Sequence, residues 1–525
     1  MQRKLSFQKR SDDEEVKEAG LVIDFDEIAR KGKMSKEEEL IAKWFGIYSS
    51  RQPGNHMSRI VVPGGQMTSS QARMIAKASE LFAQGTLAVT TRQSIQLHWV
   101  KTPNLPDLMR DLAEDGMTTF HGCGDVNRNV TACPLAETCR YRRINVLPYA
   151  KETSRFIANC RDLDNLPRKF KITFSGCAAG CAQPYINCVG VVAMERKNGA
   201  GTETGFQVIM GGGMGWQAFI GKELFTWVPR ERINEVCRAI ALLFRDHGDR
   251  RDRFKSRLKF VVHRYGIEKC RKMILEVLRD EGVSVEGLET EPFTETGVPF
   301  PDRPLTEEDP VGTDGKVTVR AIIPKGELTF AAFKRLAELS EIYGNKKIYT
   351  TNRQNIELHG ILPEKKEAAK AEIEALGFET SGSFGITDIV PCVGTTYCPK
   401  AVTRTRDMYD TLMELVRKPK YESIREKVNI NITGCPNSCS PYRIADIGLR
   451  GTRIREDQGS VEGYEIRVGG RHDKFGLLVG DFKATDCPKV VEQLLDTYVE
   501  VRRGEETLSD CIERLEKTEG LEIAV

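Results

Sequence analysis

The sequence predicts an internally duplicated α+β fold, and three observations lead to it. Sequence blocks recur in the same order at a nearly constant offset. Each copy mixes strand-like and helix-like segments. Each copy also carries the same arrangement of four cysteines. "TTRQSIQLHW" from Thr90 answers "TTNRQNIELHG" from Thr350, an offset of 261 with Arg92 set on Arg353. "VPGGQMT" (62–68) matches "IPKGELT" (323–329) at the same offset. "CPLAETC" (133–139) matches "CVGTTYC" (392–398) at 259, and "SGCAAGC" (175–181) matches "TGCPNSC" (433–439) at 258. Small drifts between ordered blocks are what loop insertions leave.

The elements follow in order. Residues 1–50, opening "MQRKLSFQKRSDDEEVKEAG", read as an arm that is flexible or wraps the surface. It has no apolar core segment and so is not a secretory signal. Residues 51–125 begin with "IVV" (60–62) as a strand. Ser69 or Ser70 caps a helix that runs to about Gln84 and ends at Gly85. "LAVTT" and "SIQLHWV" are strands, and "LPDLMRDLAEDG" is a helix closed by Gly116. Residues 313–380 repeat that order with "VTVRAII", a helix over 329–343, "KKIYTT", "NIELHGI" and a helix over 363–376. Strand–helix–strand–strand–helix suggests ferredoxin-like half-domains. Residues 126–283 and 381–525 are then two mixed α/β domains bearing the cysteines, and 284–312, rich in Glu, Pro and Thr, is the linker.

Composition narrows the function. A chain of 525 residues implies two to four domains. With 40% hydrophobic and 29% charged residues it is a globular protein, and no apolar run approaches the ~18 residues of a membrane span. Net charge is +3, from 78 basic and 75 acidic residues, too balanced to imply nucleic acid. Fifteen cysteines without a secretory signal point to metal ligands or buried thiols in a reducing, cytoplasmic setting.

Repeat 1 carries Cys133-x5-Cys139 and Cys177-x3-Cys181; repeat 2 carries Cys392-x5-Cys398 and Cys435-x3-Cys439. Zinc usually takes pairs with two to four residues between ligands, so x5 falls outside its range. A thioredoxin-type dithiol needs one pair with two residues between. Four thiolates on looser spacings suit an iron–sulfur cube. The plain alternative is eight buried thiols packed as small hydrophobes.

A polar face accompanies the thiols. By strand alternation Arg92, Ser94, Gln96 and His98 share one side, against Ile95, Leu97 and Trp99. In "LPRKFKITFSGC", Lys169, Lys171 and Thr173 oppose Phe170, Ile172 and Phe174 and lead into Cys177. "DVNRNVTAC" places Arg128 before Cys133. Singly these are surface residues; together Arg92, Arg128, Lys169 and Lys171 make a pocket for a small oxyanion or a polycarboxylate.

With these motifs the chain resembles the sirohaem-dependent nitrite/sulfite reductase family over roughly residues 50–510. The resemblance implies that family's fold, with two cluster-binding domains. It implies a 4Fe–4S cluster on Cys392, Cys398, Cys435 and Cys439, with Cys439 bridging to sirohaem. It implies that Arg92, Arg128, Lys169 and Lys171 bind the substrate anion, the lysines helping deliver protons. Gln93, Gln96, His98, Asn129, Asn437 and Cys439 would contact the cofactors. Lys169-Phe-Lys171 favours sulfite over nitrite, since family nitrite reductases often have Lys-x-Asn there. The alternatives are a ferredoxin-dependent nitrite reductase and a two-cluster electron-transfer protein. No dinucleotide fingerprint stands out, "VIMGGGMGW" lacking the strand–GxGxxG–helix context, so ferredoxin or a flavoprotein is the expected donor.

One feature departs from the family, whose familiar single-chain enzymes keep cysteines only in the second half. Here Cys133, Cys139, Cys177 and Cys181 form a second set facing the polar strands of repeat 2. There Arg353 matches Arg92 and Lys427 matches Lys169, but Thr387 replaces Arg128, Asn429 Lys171, Glu357 Gln96 and Glu426 Arg168. The expectation is two clusters with one competent sirohaem site; otherwise the first set is vestigial.

Overall fold

A computed structural model describes residues 12–199, 201–299, 308–457 and 459–519. The duplication folds into two pairs of sheets. In the first pair, one sheet orders Ile47–Ser49, Asn55–Ile60, Ile95–Lys101, Thr86–Val89 and Glu327–Thr329. Its counterpart orders Val317–Ala321, Ile356–Ile361, Lys347–Thr350 and Gln66–Thr68. Each sheet therefore ends on a strand lent by the other half, with Glu327 opposite Ala88 and Lys347 opposite Thr68. The lent strands are the "QMT" and "ELT" of the repeated blocks. Ser69–Phe82 and Phe330–Ile342 pack together, and the halves share one core containing Ile75, Leu97, Leu336 and Leu358.

Thr68, not Ser69 or Ser70, caps the first of these helices. Its hydroxyl accepts from Gln71 N while the Gln71 amide accepts from Thr68 N, a reciprocal box fixed by the spacing. The helix ends at Phe82, ahead of left-handed Gln84 and Gly85.

The second pair carries the cysteines. One sheet orders Thr131–Ala132, Ile172–Ser175, Val189–Asn198, Gly201–Met210 and Lys222–Pro229. The other orders Val390–Pro391, Ile430–Thr433, Ile447–Glu456, Gly459–Val468 and Leu477–Lys483. The first three strands of each are parallel, so the chain must cross back between the second and third. That crossing is the Cys-x3-Cys segment. It returns close to the sheet because Gly190 and Gly448 lack side chains: a Cβ would lie 2.4 Å from Pro184 O and 1.9 Å from Tyr442 O. Helices Leu147–Asn159, Ile233–His247 and Ile267–Asp280 bury the first sheet; Thr405–Val416, Cys487–Val501 and Leu508–Glu519 bury the second.

The N-terminal arm wraps rather than dangles from residue 12 onward; residues 1–11 lie outside the described residues. Arg250 donates to Glu14 Oε2 at 2.8 Å, and the Trp44 indole to Asp164 O at 2.6 Å. Residues 284–299 of the expected linker lie against the first cysteine domain, tied by Arg196–Glu289 and Arg143–Glu295 ion pairs. Among the described residues no helix is long and apolar enough to cross a membrane.

Candidate functional site

Parallel pairing explains why distant cysteine pairs meet. Cys392 follows strand Val390–Pro391 and Cys435 closely follows its neighbour Ile430–Thr433, so both emerge at carboxyl ends. Cys392 N donates to Ile432 O at 2.9 Å, and Gly434 N donates to Cys392 Sγ at 3.1 Å. Asn437 turns both its backbone N–H and its side chain to the Cys435 sulfur. Cys439 is exposed, its carbonyl held by the Thr91 hydroxyl at 2.8 Å. Burial, then neighbouring Cys439, pushes the Cys392 thiol up to about 12. Thiols so crowded become thiolates only beside strong positive charge, which iron provides. Among the described residues no three His, Cys, Asp or Glu side chains converge as a single ion demands. Four cysteine sulfurs on two loosely spaced pairs are the donor set of an iron–sulfur cluster.

Beside Cys439 lies a cleft of about 460 Å³, open solvent included, lined by Arg92, Thr131, Lys171, Asn187 and Met214. Arg92 donates to Asn187 Oδ1 at 2.7 Å and to the carbonyls of Asn129 and Ile172 at 2.6 and 3.1 Å, leaving Nε buried without a partner. Arg128 is held by the carbonyls of Gly124 and Gly122 at 2.9 and 3.2 Å. Lys169 and Lys171 flank Phe170, which is wholly buried in the core. Among the described residues, neither lysine has a hydrogen-bond or ion-pair partner. Burial, then Arg257, pushes Lys169 down to about 7. Burial, then Arg92, pushes Lys171 well below the usual lysine range. Burial also brings Arg92 down to about 9.

Uncompensated cations inside a protein are costly, so the cleft is built for anions. Carboxylates of a tetrapyrrole and an oxyanion substrate both supply what it lacks. The unpartnered Asn129 Oδ1 and His98 ring nitrogens are further polar atoms left open in the buried shell.

Several expected roles change. Arg92 does not lie on the strand, which begins at Ile95; it sits in the turn closed by Thr90 N donating to Ser94 O at 2.9 Å. Gln93 is fully buried, and its amide is spent on Ala132 N at 2.9 Å, Ala132 O at 2.9 Å and Thr350 O at 3.0 Å. It ties the halves together and has no edge left for a cofactor. Gln96 turns its amide oxygen to the Arg59 guanidinium. His98 stacks on Tyr397 of the Cys392–Cys398 loop with centroids 4.0 Å apart. Burial holds the His98 imidazole down to about 3, so it is neutral. Trp99 is half-buried at φ 65, where the pairing of Ile95–Lys101 with Asn55–Ile60 shifts register, and does not join the core as alternation suggested. The Asn129 amide donates to Val62 O and Arg92 O at 2.8 and 2.9 Å and positions the arginine.

Sequence reasoning missed Arg257 and Lys259. Lys259 is buried and donates to Met214 O at 2.8 Å, clamping the glycine-rich loop at 211–215. Arg257 faces Cys188 Sγ at 3.4 Å with its Nε unpartnered. Their signal was "SRLKFVV", two cations leading into a short apolar run.

Comparisons with known proteins cover both pairs of sheets. A family model described as the nitrite and sulphite reductase 4Fe-4S domain matches residues 123–281 and 383–519. One described as the nitrite/sulfite reductase ferredoxin-like half domain matches 48–115 and 311–376. Sulfite reductase (ferredoxin) 2 of Mycolicibacterium paratuberculosis is 28% identical, over 88% of this chain and 85% of its own length. The assimilatory ferredoxin-dependent nitrite reductase of Haloferax mediterranei is 30% identical, over 92% and 88%. The solved structure of Mycobacterium tuberculosis NirA protein superposes with a TM-score of 0.87 at 26% identity, covering 97% of each chain.

Proposed function

The chain belongs to the nitrite and sulphite reductase family, and from that premise we propose that it reduces sulfite to sulfide with electrons from ferredoxin. The family's cofactors, sirohaem and a 4Fe–4S cluster, supply the electron store and the metal centre for a six-electron reduction. Cys392, Cys398, Cys435 and Cys439 are the residues to hold the cluster, with Cys439 on the cleft side. Arg92 holds negative charge in the cleft, and Arg128, within electrostatic reach of Arg92, adds positive potential from behind its backbone contacts. Lys169 and Lys171 neutralise the anion and hand protons to oxygens that leave as water.

One observation carries the preference for sulfite. Both lysines are short of counter-charge, with burial the main cause of their lowered basicity. A dianion restores more than a monoanion does. The nitrite reading has its own support in the 30% identity to the Haloferax mediterranei enzyme. Steady-state turnover with a chemical reductant separates them: kcat/KM is expected to be higher for sulfite, and a much higher value for nitrite overturns the assignment. A purified protein with no sirohaem absorption would instead support pure electron transfer.

The lysines also set a pH dependence. A lysine donates a proton only below its pKa, so kcat/KM for sulfite falls as pH rises through that of Lys169. Without the anions it lies at about 7, and bound carboxylates move it up. The falling limb is expected above neutrality and below the free-lysine range, and absent in Lys169→Gln. Sulfite's own ionisation cancels in the ratio of the two proteins' profiles. A limb of equal position in both proteins removes Lys169 from the role.

A further inference from the structure

We propose that Cys133, Cys139, Cys177 and Cys181 hold a second 4Fe–4S cluster, one with no tetrapyrrole beside it. The first half reproduces the second half's ligand cradle, not only its spacing. Cys133 follows strand Thr131–Ala132 and Cys177 closely follows the parallel Ile172–Ser175. Gly176 N donates to Cys133 Sγ at 3.3 Å, as Gly434 N does to Cys392 Sγ. The backbone N–H of Ala179 points to the Cys177 sulfur, as that of Asn437 points to Cys435. Left-handed Gly180, φ 73, occupies the turn that Ser438, φ 50, occupies in the other half. The carbonyl of the last cysteine is held across the pseudo-symmetric boundary in both: Thr91 Oγ1 donates to Cys439 O at 2.8 Å, Asn352 Nδ2 to Cys181 O at 2.7 Å.

The sulfurs are gathered. The Cys133 and Cys181 thiols are hydrogen-bonded, and Cys177 lies within electrostatic reach of Cys181 and Cys139. Backbone N–H groups of Tyr141 and Arg142 face Cys139, and Arg143 lies near Cys177. Thiols used only for packing look different here: Cys237 and Cys270 are wholly buried in the apolar core, whereas Cys139 and Cys181 are only partly covered.

The neighbouring pocket has lost its capacity for anions. Val262 and Ile512 pack on the equivalent Gly211 and Gly469, which aligns Arg257 with Thr507 and Lys259 with Ser509. With Thr387 at Arg128 and Asn429 at Lys171, four cations are gone. Those that remain are matched to carboxylates: Arg353 with Asp388, Arg320 with Glu357, and Lys427 with Glu505. The loop equivalent to Gly213–Met214 is Arg471–His472. Arg471 is tied to Asp510 and Glu513 at 3.2 and 3.1 Å, and the His472 ring stands 3.1 Å from where a Cβ of Gly180 would be. Carboxylates of a tetrapyrrole would meet acids there. A cluster with four cysteines and no open position takes up and releases electrons without touching substrate.

The test is Mössbauer spectroscopy with iron and labile-sulfide analysis of the anaerobically purified holoprotein. The expected result is about eight non-haem irons per chain in two clusters, one magnetically coupled to the haem and one uncoupled. A single coupled cluster with about four irons overturns the proposal. Cys177→Ser is expected to remove about half of the non-haem iron and the uncoupled species, with sirohaem absorption intact. Loss of the coupled species instead would also overturn it. Sirohaem absorption and sulfite turnover report separately on the proposed function, so either reading can fail alone.

Discussion

Replacing Lys171 with methionine is expected to lower kcat/KM for sulfite by about 10²–10⁴-fold while leaving sirohaem absorption unchanged. Methionine keeps an unbranched apolar stem beside Phe170 and Ile172 and removes the ammonium alone. Without it the cleft loses both a neutralising charge and a proton donor one residue pair from Lys169. The variant should be no less stable than the parent in the absence of anions. Lys171 sits half-buried among Arg92, Lys169 and Arg257, with burial and those cations opposing its charge, so its removal relieves an electrostatic penalty. Activity lost with stability kept or gained is the pattern of a site that stores unfavourable charge for its ligand. Thermal unfolding alongside steady-state kinetics checks both. Equal turnover in Lys171→Met, or a loss of activity that only mirrors a loss of stability, takes Lys171 out of the chemistry.

The site was more legible in the sequence than the route by which the chain builds it. Cysteine spacing survives because ligands at the carboxyl ends of adjacent parallel strands need fixed loop lengths, and offsets of 258 and 259 record that constraint. The alternation of Lys169, Phe170, Lys171 and Ile172 reports burial directly. Exchange of Gln66–Thr68 and Glu327–Thr329 between halves was hidden, because strand partners far apart in sequence leave no local trace. The same exchange explains Gln93. Its position in the repeated motif suggested a ligand contact, yet φ 57 turns it out of the pleat and into the backbone of the other half. Gln354 does the reverse, donating to Val89 O at 3.1 Å. These glutamines belong to the two-fold seam, which a motif shared by both halves marks as strongly as it marks chemistry. Arg257 and Lys259 were missed for a different reason: their helix lies outside the repeated sequence blocks, and its counterpart Leu508–Glu519 is recognisable only from how both pack on Gly211 and Gly469.

Asp388→Asn is expected to destabilise the protein by about 3–5 kcal/mol, the usual cost of stranding one member of a buried ion pair. Asp388 stands where the first repeat has Asn129, and both hold the equivalent arginine. Its carboxylate accepts three N–H groups: Arg353 Nε at 2.6 Å, Phe384 N at 2.8 Å and Asn355 Nδ2 at 2.9 Å. Asparagine offers one oxygen and turns an N–H₂ toward a donor, so charge and geometry fail together. The double variant Asp388→Asn, Arg353→Met should recover much of the loss, because both buried charges then leave at once. Denaturant midpoints of the three variants measure this; a single-variant loss under about 1 kcal/mol, or no recovery in the double, refutes it. The reciprocal exchange, Asn129→Asp, gives Arg92 a counter-charge of its own. It should raise KM for sulfite, since the arginine no longer needs the substrate to be neutralised, and lower stability, since a carboxylate oxygen replaces the N–H₂ that donates to Val62 O and Arg92 O. The carboxylate at this position is thus one of the differences, together with the four lost cations, that separate the two pockets.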